Sequence, residues 1–373
     1  MRVVLILLVP FLIAGCVDRF ASPVVPAALE VGRAYPVLVA TTREQEADGS
    51  YRFARSEDLD LLDVTVSIPP GHQPGELAMS YGRPDPRRQF TLARRAPIPS
   101  VDALRQRLAQ EQRRAGWPAR EVVLFVHGYN AAQTETVFRA TQVADDIGLP
   151  GSLMVYSWPS RAQPFAYAYD LDSMLFARDG LERTIRMLRQ AGAQRVILVA
   201  HSMGAALAME TLRQADMRDP GWADRNLESV ILISPDLDLD VFRSQMTQLS
   251  PVPQPFAVIV SEKDRVLDLS ARLRGRAESV RLGNIDSVDA VADLPIDVID
   301  TTAFSEDAAS SHFVVATSPS LLTILRSAGV MTRTFTPDPV LLESLAPPAL
   351  QSSGPAREFR LSGRPQAPRG ERR

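Results

Sequence analysis

Short runs of consecutive apolar residues punctuate the middle of the chain at 122–126, 153–157, 196–199, 230–233 and 256–260. Continuous rather than alternating apolarity marks a strand buried on both faces. Helical periodicity separates several of these runs, most clearly at 173–191 and 203–214. Strand and helix in alternation predict a mostly parallel sheet with helices on both faces. Upstream, 36–41 and 61–68 read as strands and 101–114 as a helix, with a polar, Arg-rich stretch between the last two. No internal repeat is present.

The two ends are built differently. Met1-Arg2 opens a nearly unbroken apolar run through Gly15. It is shorter than the roughly 20 residues that span a bilayer as a helix, and its length fits the apolar part of a secretory signal. Residues 17–35 are small, Pro-containing and weakly patterned, as a tether would be. From about 337 the chain is rich in Pro, Arg, Ser and Gly, and 350–373 hold almost nothing to bury, so a disordered tail is expected. The expected organisation is a signal over 1–15, a tether over 16–35 and an N-terminal extension over 36–120. A core over 121–335 and a tail over 336–373 complete it.

Composition narrows the chemistry. A net charge of −3 offers no general attraction for nucleic acid. With one cysteine, Cys16, neither an internal disulfide nor a Cys/His zinc cluster can form. The histidines are His72, His127, His201 and His312, so any histidine-dependent mechanism has four candidates.

Cys16 ends the segment Leu12-Ile13-Ala14-Gly15-Cys16, which resembles the lipobox of bacterial lipoprotein precursors. The resemblance implies cleavage before Cys16, acylation of its thiol and new amine, and stable anchoring by several acyl chains. Val17 rather than aspartate follows, which in Gram-negative lipoproteins favours the outer membrane, facing the periplasm. The competing reading is an ordinary cleaved signal with a chance cysteine.

The turn Ala200-His201-Ser202-Met203-Gly204 lies between the run at 196–199 and the helical pattern from Met203. It resembles the nucleophile elbow G-x-S-x-G of α/β-hydrolases, with Ala200 replacing the first glycine. Small flanking residues let a strained turn pack against neighbouring strands. Its serine would project at the carboxyl end of a strand, where open α/β sheets bind ligands. The bland alternative is a plain strand–helix junction. His127-Gly128-Tyr129-Asn130, after the first buried run, resembles the His-Gly oxyanion segment of lipases and esterases. That resemblance implies that the amides of Tyr129 and Met203 hold the oxyanion while His127 and Gly128 serve structurally. His201 is locked inside the elbow, and His72, in a Pro/Gly turn, is also read as structural.

α/β-Hydrolases order their triad Ser, Asp or Glu, then His. Only His312 follows Ser202, in a loop before the helix-like 320–328. Asp264, just beyond the run at 256–260, is the preferred acid; Asp236 is the main rival, with Glu262 and Asp268 behind. Trp158 is read either as pocket lining or as a buried aromatic.

Thr41-Thr42-Arg43, His127 to Asn130, Tyr156 to Ser160, Tyr169 with Asp172, Ala200 to Gly204 and Ser234-Pro235-Asp236 occur in order. Together they resemble a family of bacterial α/β-hydrolases of the esterase/lipase superfamily, a domain of unknown function, over roughly 37–330. The resemblance implies a Ser-His-Asp hydrolase, esterase-like and working through an acyl-enzyme, with no metal or cofactor. The expected partners are a small or medium acyl substrate and, through Cys16, the membrane. An acyltransferase using the same triad, a catalytically retired scaffold lipoprotein and a cell-wall-binding module are the alternatives. Oligomeric state is not legible.

Overall fold

In the computed structural model the described residues are 18–21, 23–117, 119–273, 280–285, 287–304, 311–319, 321–322 and 357–360. The chain opens with strands β1 (Arg33–Gln45), β2 (Tyr51–Ile68) and β3 (Thr91–Pro97), followed by helix α1 (Val101–Ala115). Alternation then sets in with β4 (Glu121–Val126), α2 (Gln133–Ile147), β5 (Ser152–Ser157), α3 (Tyr167–Gln190), β6 (Arg195–His201) and α4 (Met203–Arg218). It continues through α5 (Trp222–Asn226), β7 (Ser229–Ile233), α6 (Leu239–Met246), β8 (Phe256–Val260), α7 (Arg265–Leu273), β9 (Asp297–Asp300), α8 (Val314–Thr317) and β10 (Arg357–Arg360).

The five apolar runs are β4 to β8, and in β4, β5, β7 and β8 every residue is buried. They lie inside one ten-stranded sheet, ordered β10-β9-β8-β7-β6-β4-β5-β1-β2-β3 among the described residues. Every neighbouring pair from β10 through to β1 is parallel, and β2 and β3 complete the sheet antiparallel. Successive residues feed opposite cores, as the period of two in a strand requires. Val122, Leu124 and Val126 pack on the side of α3 and α4, whereas Val123 and Phe125 pack on the side of α2 and α8. The sheet is thus covered on both faces, as the alternation predicts.

Local signals place the helices. Ser100 caps α1 by accepting from the Ala103 amide at 3.2 Å, Leu104 and Leu108 fill one buried face, and Gly116 ends the helix at φ 68°. Gly148, at φ 67°, ends α2 in the same way.

Three regions depart from the expectations. The stretch between 69 and 100 contains β3, whose first three residues are buried while most of the rest, including two arginines, is exposed or half-exposed. An edge strand with that pattern carries little apolar signal. The segment 16–35, expected as a loose tether, is docked at several of its described residues. Pro26–Glu30 forms a 3₁₀ turn with Ala28 buried, the Val25 amide donates to Leu92 O at 2.8 Å, and β1 already begins at Arg33. Within the expected tail, Arg357–Arg360 pairs with β9 as an edge strand. The remainder of that tail, the signal over 1–15, Cys16 and most of 320–328 lie outside the described residues.

Candidate active site

Three parallel strands deliver their carboxyl ends to one edge of the sheet. Beyond β6 stands Ser202, beyond β8 stands Asp264, and beyond β9 His312 sits in a 3₁₀ turn, Ser311–Phe313. Ser202 adopts φ 54° and ψ −125°, a region that non-glycine residues rarely enter. The sharp turn ends β6 and starts α4 one residue later, so the helix N-terminus is aimed at the serine.

The three side chains meet. Ser202 Oγ lies 3.0 Å from His312 Nε2, and His312 Nδ1 lies 2.8 Å from Asp264 Oδ2. A carboxylate only accepts, so Nδ1 carries the proton and Nε2 presents its lone pair to the serine hydroxyl. The other Asp264 oxygen accepts from the amides of Val266 at 3.1 Å and Leu267 at 3.3 Å, at the start of α7. Both carboxylate oxygens are thereby committed and the acid cannot swivel. The Asp264 side chain is fully buried, while that of His312 keeps 15% exposure toward the open edge.

The loop after β4 is pressed against this elbow. A Cβ added to Gly128 would stand 2.8 Å from Ser202 Cβ and 3.1 Å from His201 Nδ1. One added to Gly204 would meet His127 O at 2.3 Å. Two glycines therefore let the His127-Gly128-Tyr129 backbone and the elbow interlock, which sets the Tyr129 segment beside the serine. The Met203 side chain is fully buried, and the Tyr129 ring meets Tyr167 edge-on at 5.3 Å.

His127, His72 and the motif residues Arg43, Trp158 and Ser160, together with Asp170, are scaffold. His127 is buried, stacked on Trp158 at 4.8 Å, and accepts at its carbonyl from Trp158 Nε1 at 2.7 Å. Burial, helped by nearby Arg43, pushes its pKa down to about 3. The neutral ring has a single N–H, directed to Gly128 O at 2.7 Å or Trp158 O at 3.2 Å. Trp158 is thus a core residue. Buried Arg43 donates to Ser157 Oγ, Ser160 O and Ala131 O at 2.9 Å each. Asp170 accepts from Ser160 Oγ at 2.6 Å and from the amides of Arg161 at 2.7 Å and Asn130 at 3.1 Å. His72, in the N-terminal extension, pairs with Asp146 of α2 at 2.6 Å.

The rival acids are engaged elsewhere. The carboxylate of Asp236 accepts from Tyr167 Oη at 2.7 Å and Ser270 Oγ at 2.5 Å, with Arg281 Nε at 3.5 Å. Its amide donates to Ser202 O at 3.2 Å. Asp268 binds Asn284, and Glu262 is exposed. Two contacts near the site had no signal in the sequence. His201 Nε2 lies 3.0 Å from His312 O, and Arg19, from the expected tether, reaches the loop after β4.

The family described as "Alpha/beta hydrolase of unknown function (DUF900)" matches residues 102–328. Comparison with curated proteins finds no match. Among solved structures the chain is similar to TT1662 from Thermus thermophilus, at 12% identity and a TM-score of 0.34, covering 71% of this chain and 91% of that one. It is similar to ester-hydrolase EH1AB1 from the metagenome of Lake Arreo at 13% identity and a TM-score of 0.33, covering 73% and 78%. It is also similar to Aspergillus fumigatus lipase B at 14% identity and a TM-score of 0.27, covering 39% of this chain and 38% of the lipase.

Proposed function

The chain belongs to the DUF900 family of α/β-hydrolases, and we propose that it acts as a serine hydrolase of the esterase type. One observation carries this reading: a single imidazole bridges Ser202 Oγ at 3.0 Å and Asp264 Oδ2 at 2.8 Å. In the proposed reaction His312 Nε2 takes the Ser202 proton as Oγ attacks an acyl carbonyl. Asp264 holds the ring in the tautomer that can accept this proton and stabilises the imidazolium formed. The amides of Met203 and Tyr129 receive the developing oxyanion. His312 then protonates the leaving group, leaving an acyl-Ser202 ester. Water, deprotonated by the same nitrogen, hydrolyses that ester and restores the enzyme. No step calls for a metal or organic cofactor.

A second part of the proposal concerns place. The Leu12 to Cys16 segment supports a lipoprotein of the bacterial envelope, acylated at Cys16 and held at the outer membrane facing the periplasm.

Labelling by a fluorophosphonate tests the chemistry. Wild type should label, and Ser202→Ala and His312→Ala should not; equal labelling of wild type and Ser202→Ala sinks the mechanism. Incorporation of radiolabelled palmitate, lost in Cys16→Ala, tests the anchor.

A further inference from the structure

Arg19 stands three residues beyond Cys16 and is not free. Its Nε donates to Glu135 Oε1 at 2.6 Å, and Nη1 donates to Asn130 Oδ1 and Ala162 O at 2.7 Å each. Nη2 donates to Asn130 O at 2.9 Å and Glu135 Oε2 at 2.6 Å. All five N–H donors of the guanidinium are used, two of them in a bidentate pair with a carboxylate. Two of the partners, Asn130 at φ 58° and Ala162 at φ 54°, hold unfavourable backbone angles in the loops after β4 and β5. Asn130 follows Tyr129 and lies two residues from Gly128, the residue pressed on Ser202. Asp18 pairs with Arg52 at 2.6 Å, and Phe20 packs against Phe53 at 5.9 Å. The arm is therefore fastened to the carboxyl edge of the sheet, the edge that bears Ser202.

We propose that this clamp mounts the lipid anchor on the active-site edge, so that the edge bearing Ser202 faces the leaflet holding the anchor and takes acyl esters presented by that bilayer. The inference rests on the reading of Cys16 as acylated and Ser202 as nucleophile, and it names the substrate class. Chain length enforces the orientation. From Cys16 to Asp18 an extended chain reaches only about 7 Å. The opposite edge of the sheet lies a further six residues of β4 away, roughly 20 Å. An anchor that short cannot let the far edge turn toward the membrane. The loop after β5 carries a second sign. Phe165 there is fully exposed, three residues beyond the Ala162 carbonyl that Arg19 holds. A fully solvated aromatic ring at the edge nearest the anchor is suited to the apolar–polar boundary of a bilayer.

The test uses the full acylated protein in vesicles of phosphatidylethanolamine and phosphatidylglycerol. Cys16 is the only cysteine, so Phe165→Cys and Gln194→Cys each supply one free thiol, at the active-site edge and the far edge respectively. An environment-sensitive fluorophore on Phe165→Cys should be quenched by brominated lipid, and one on Gln194→Cys should not. Equal quenching at both sites, or quenching only at 194, overturns the proposal. Labelling of Cys16 itself in the wild-type protein overturns the anchor on which it stands. A flexible Gly/Ser insertion of about 20 residues before Asp18 gives an r.m.s. reach of roughly 25 Å and frees the body to rotate. It should leave hydrolysis of a soluble short-chain ester unchanged and slow that of a vesicle-embedded fluorogenic ester by about tenfold. Unchanged rates on both esters overturn the orientation while leaving the hydrolase reading intact. Absence of both activities together with absent fluorophosphonate labelling removes the hydrolase reading itself.

Discussion

His201 Nε2 lies 3.0 Å from the main-chain oxygen of His312, and its ring is stacked on Phe313 at 4.1 Å with an interplanar angle of 18°. Burial, together with the nearby His312, pushes the His201 pKa well below 6.5. The ring is neutral at physiological pH, and its Nε2–H donates to the His312 carbonyl. The residue before Ser202 thus holds the loop that carries His312. Neither residue could be linked in this way from the sequence, because they are 111 positions apart.

This link makes His201 a positioning residue. His201→Phe keeps the stack and loses the hydrogen bond, and kcat should fall about tenfold with KM little changed, which corresponds to about 1.4 kcal/mol. His201→Gln retains a donor and should recover part of the loss. Steady-state kinetics on a soluble ester check both, and wild-type kcat in His201→Phe would remove the positioning role.

The two acids should separate cleanly. Asp264→Asn keeps the shape but cannot hold His312 in the accepting tautomer, so kcat should fall by about 10³–10⁴. Asp236→Asn leaves Arg281, a fully buried cation, without its carboxylate. It should cost about 3–5 kcal/mol of stability, while the folded enzyme keeps kcat within about tenfold of wild type. Urea unfolding and kinetics on both variants decide this. The reverse pattern would move the acid to Asp236.

Gly128→Ala probes the contact between the loop after β4 and the elbow. Its Cβ would lie 2.8 Å from Ser202 Cβ, so one of the two backbones must move. We expect a stability loss of about 1–3 kcal/mol. A displacement of this size at the reacting centre should also cost about 10² in kcat/KM. A fully active, stable Gly128→Ala would mean that the interlock has slack.

Much of the site was legible because its signals are local. Continuous apolarity in β4 to β8 announced strands buried on both faces, the elbow stood between a strand and a helix, and only one histidine followed Ser202. What escaped was non-local or lacked periodicity. β3 is a strand with three buried residues, and β2 runs back to Tyr51 through half-exposed polar positions. Arg19 docks through a single side chain, which leaves no repeating pattern, and the Asp170 network joins residues from three separate segments. Composition described the N-terminal arm as a tether because small residues and prolines look alike whether they are solvated or packed.

Acid should weaken the fold through its buried rings. Folded His127 titrates near pH 3, whereas the unfolded ring titrates near 6.5. Between those values the unfolded chain binds a proton that the folded protein refuses. Stability is therefore fully present above about pH 6.5 and is lost as pH falls toward about 3, by roughly 1.4 kcal/mol per pH unit for this ring. His201, also held neutral, adds in the same direction. Urea midpoints at pH 7.5 and pH 5 should differ accordingly, and His127→Gln should show a shallower dependence. An unchanged slope in that variant would assign the acid sensitivity to other groups.

Ser202 itself should be a site of stored strain. Its φ of 54° costs a non-glycine residue about 1–3 kcal/mol, whereas glycine adopts such angles freely. The gain in Ser202→Gly is reduced by the larger freedom of glycine in the unfolded chain and by the lost bond from Oγ to His312. We expect Ser202→Gly to be inactive yet more stable than wild type by about 1 kcal/mol. Ser202→Ala is equally inactive but keeps a Cβ at the same backbone angle, so it should gain nothing. Because both have lost the hydroxyl, the difference between the two variants reports the strain less glycine's added freedom in the unfolded chain. Chemical denaturation of the pair measures it, and equal stabilities would mean that the elbow holds its geometry without backbone cost.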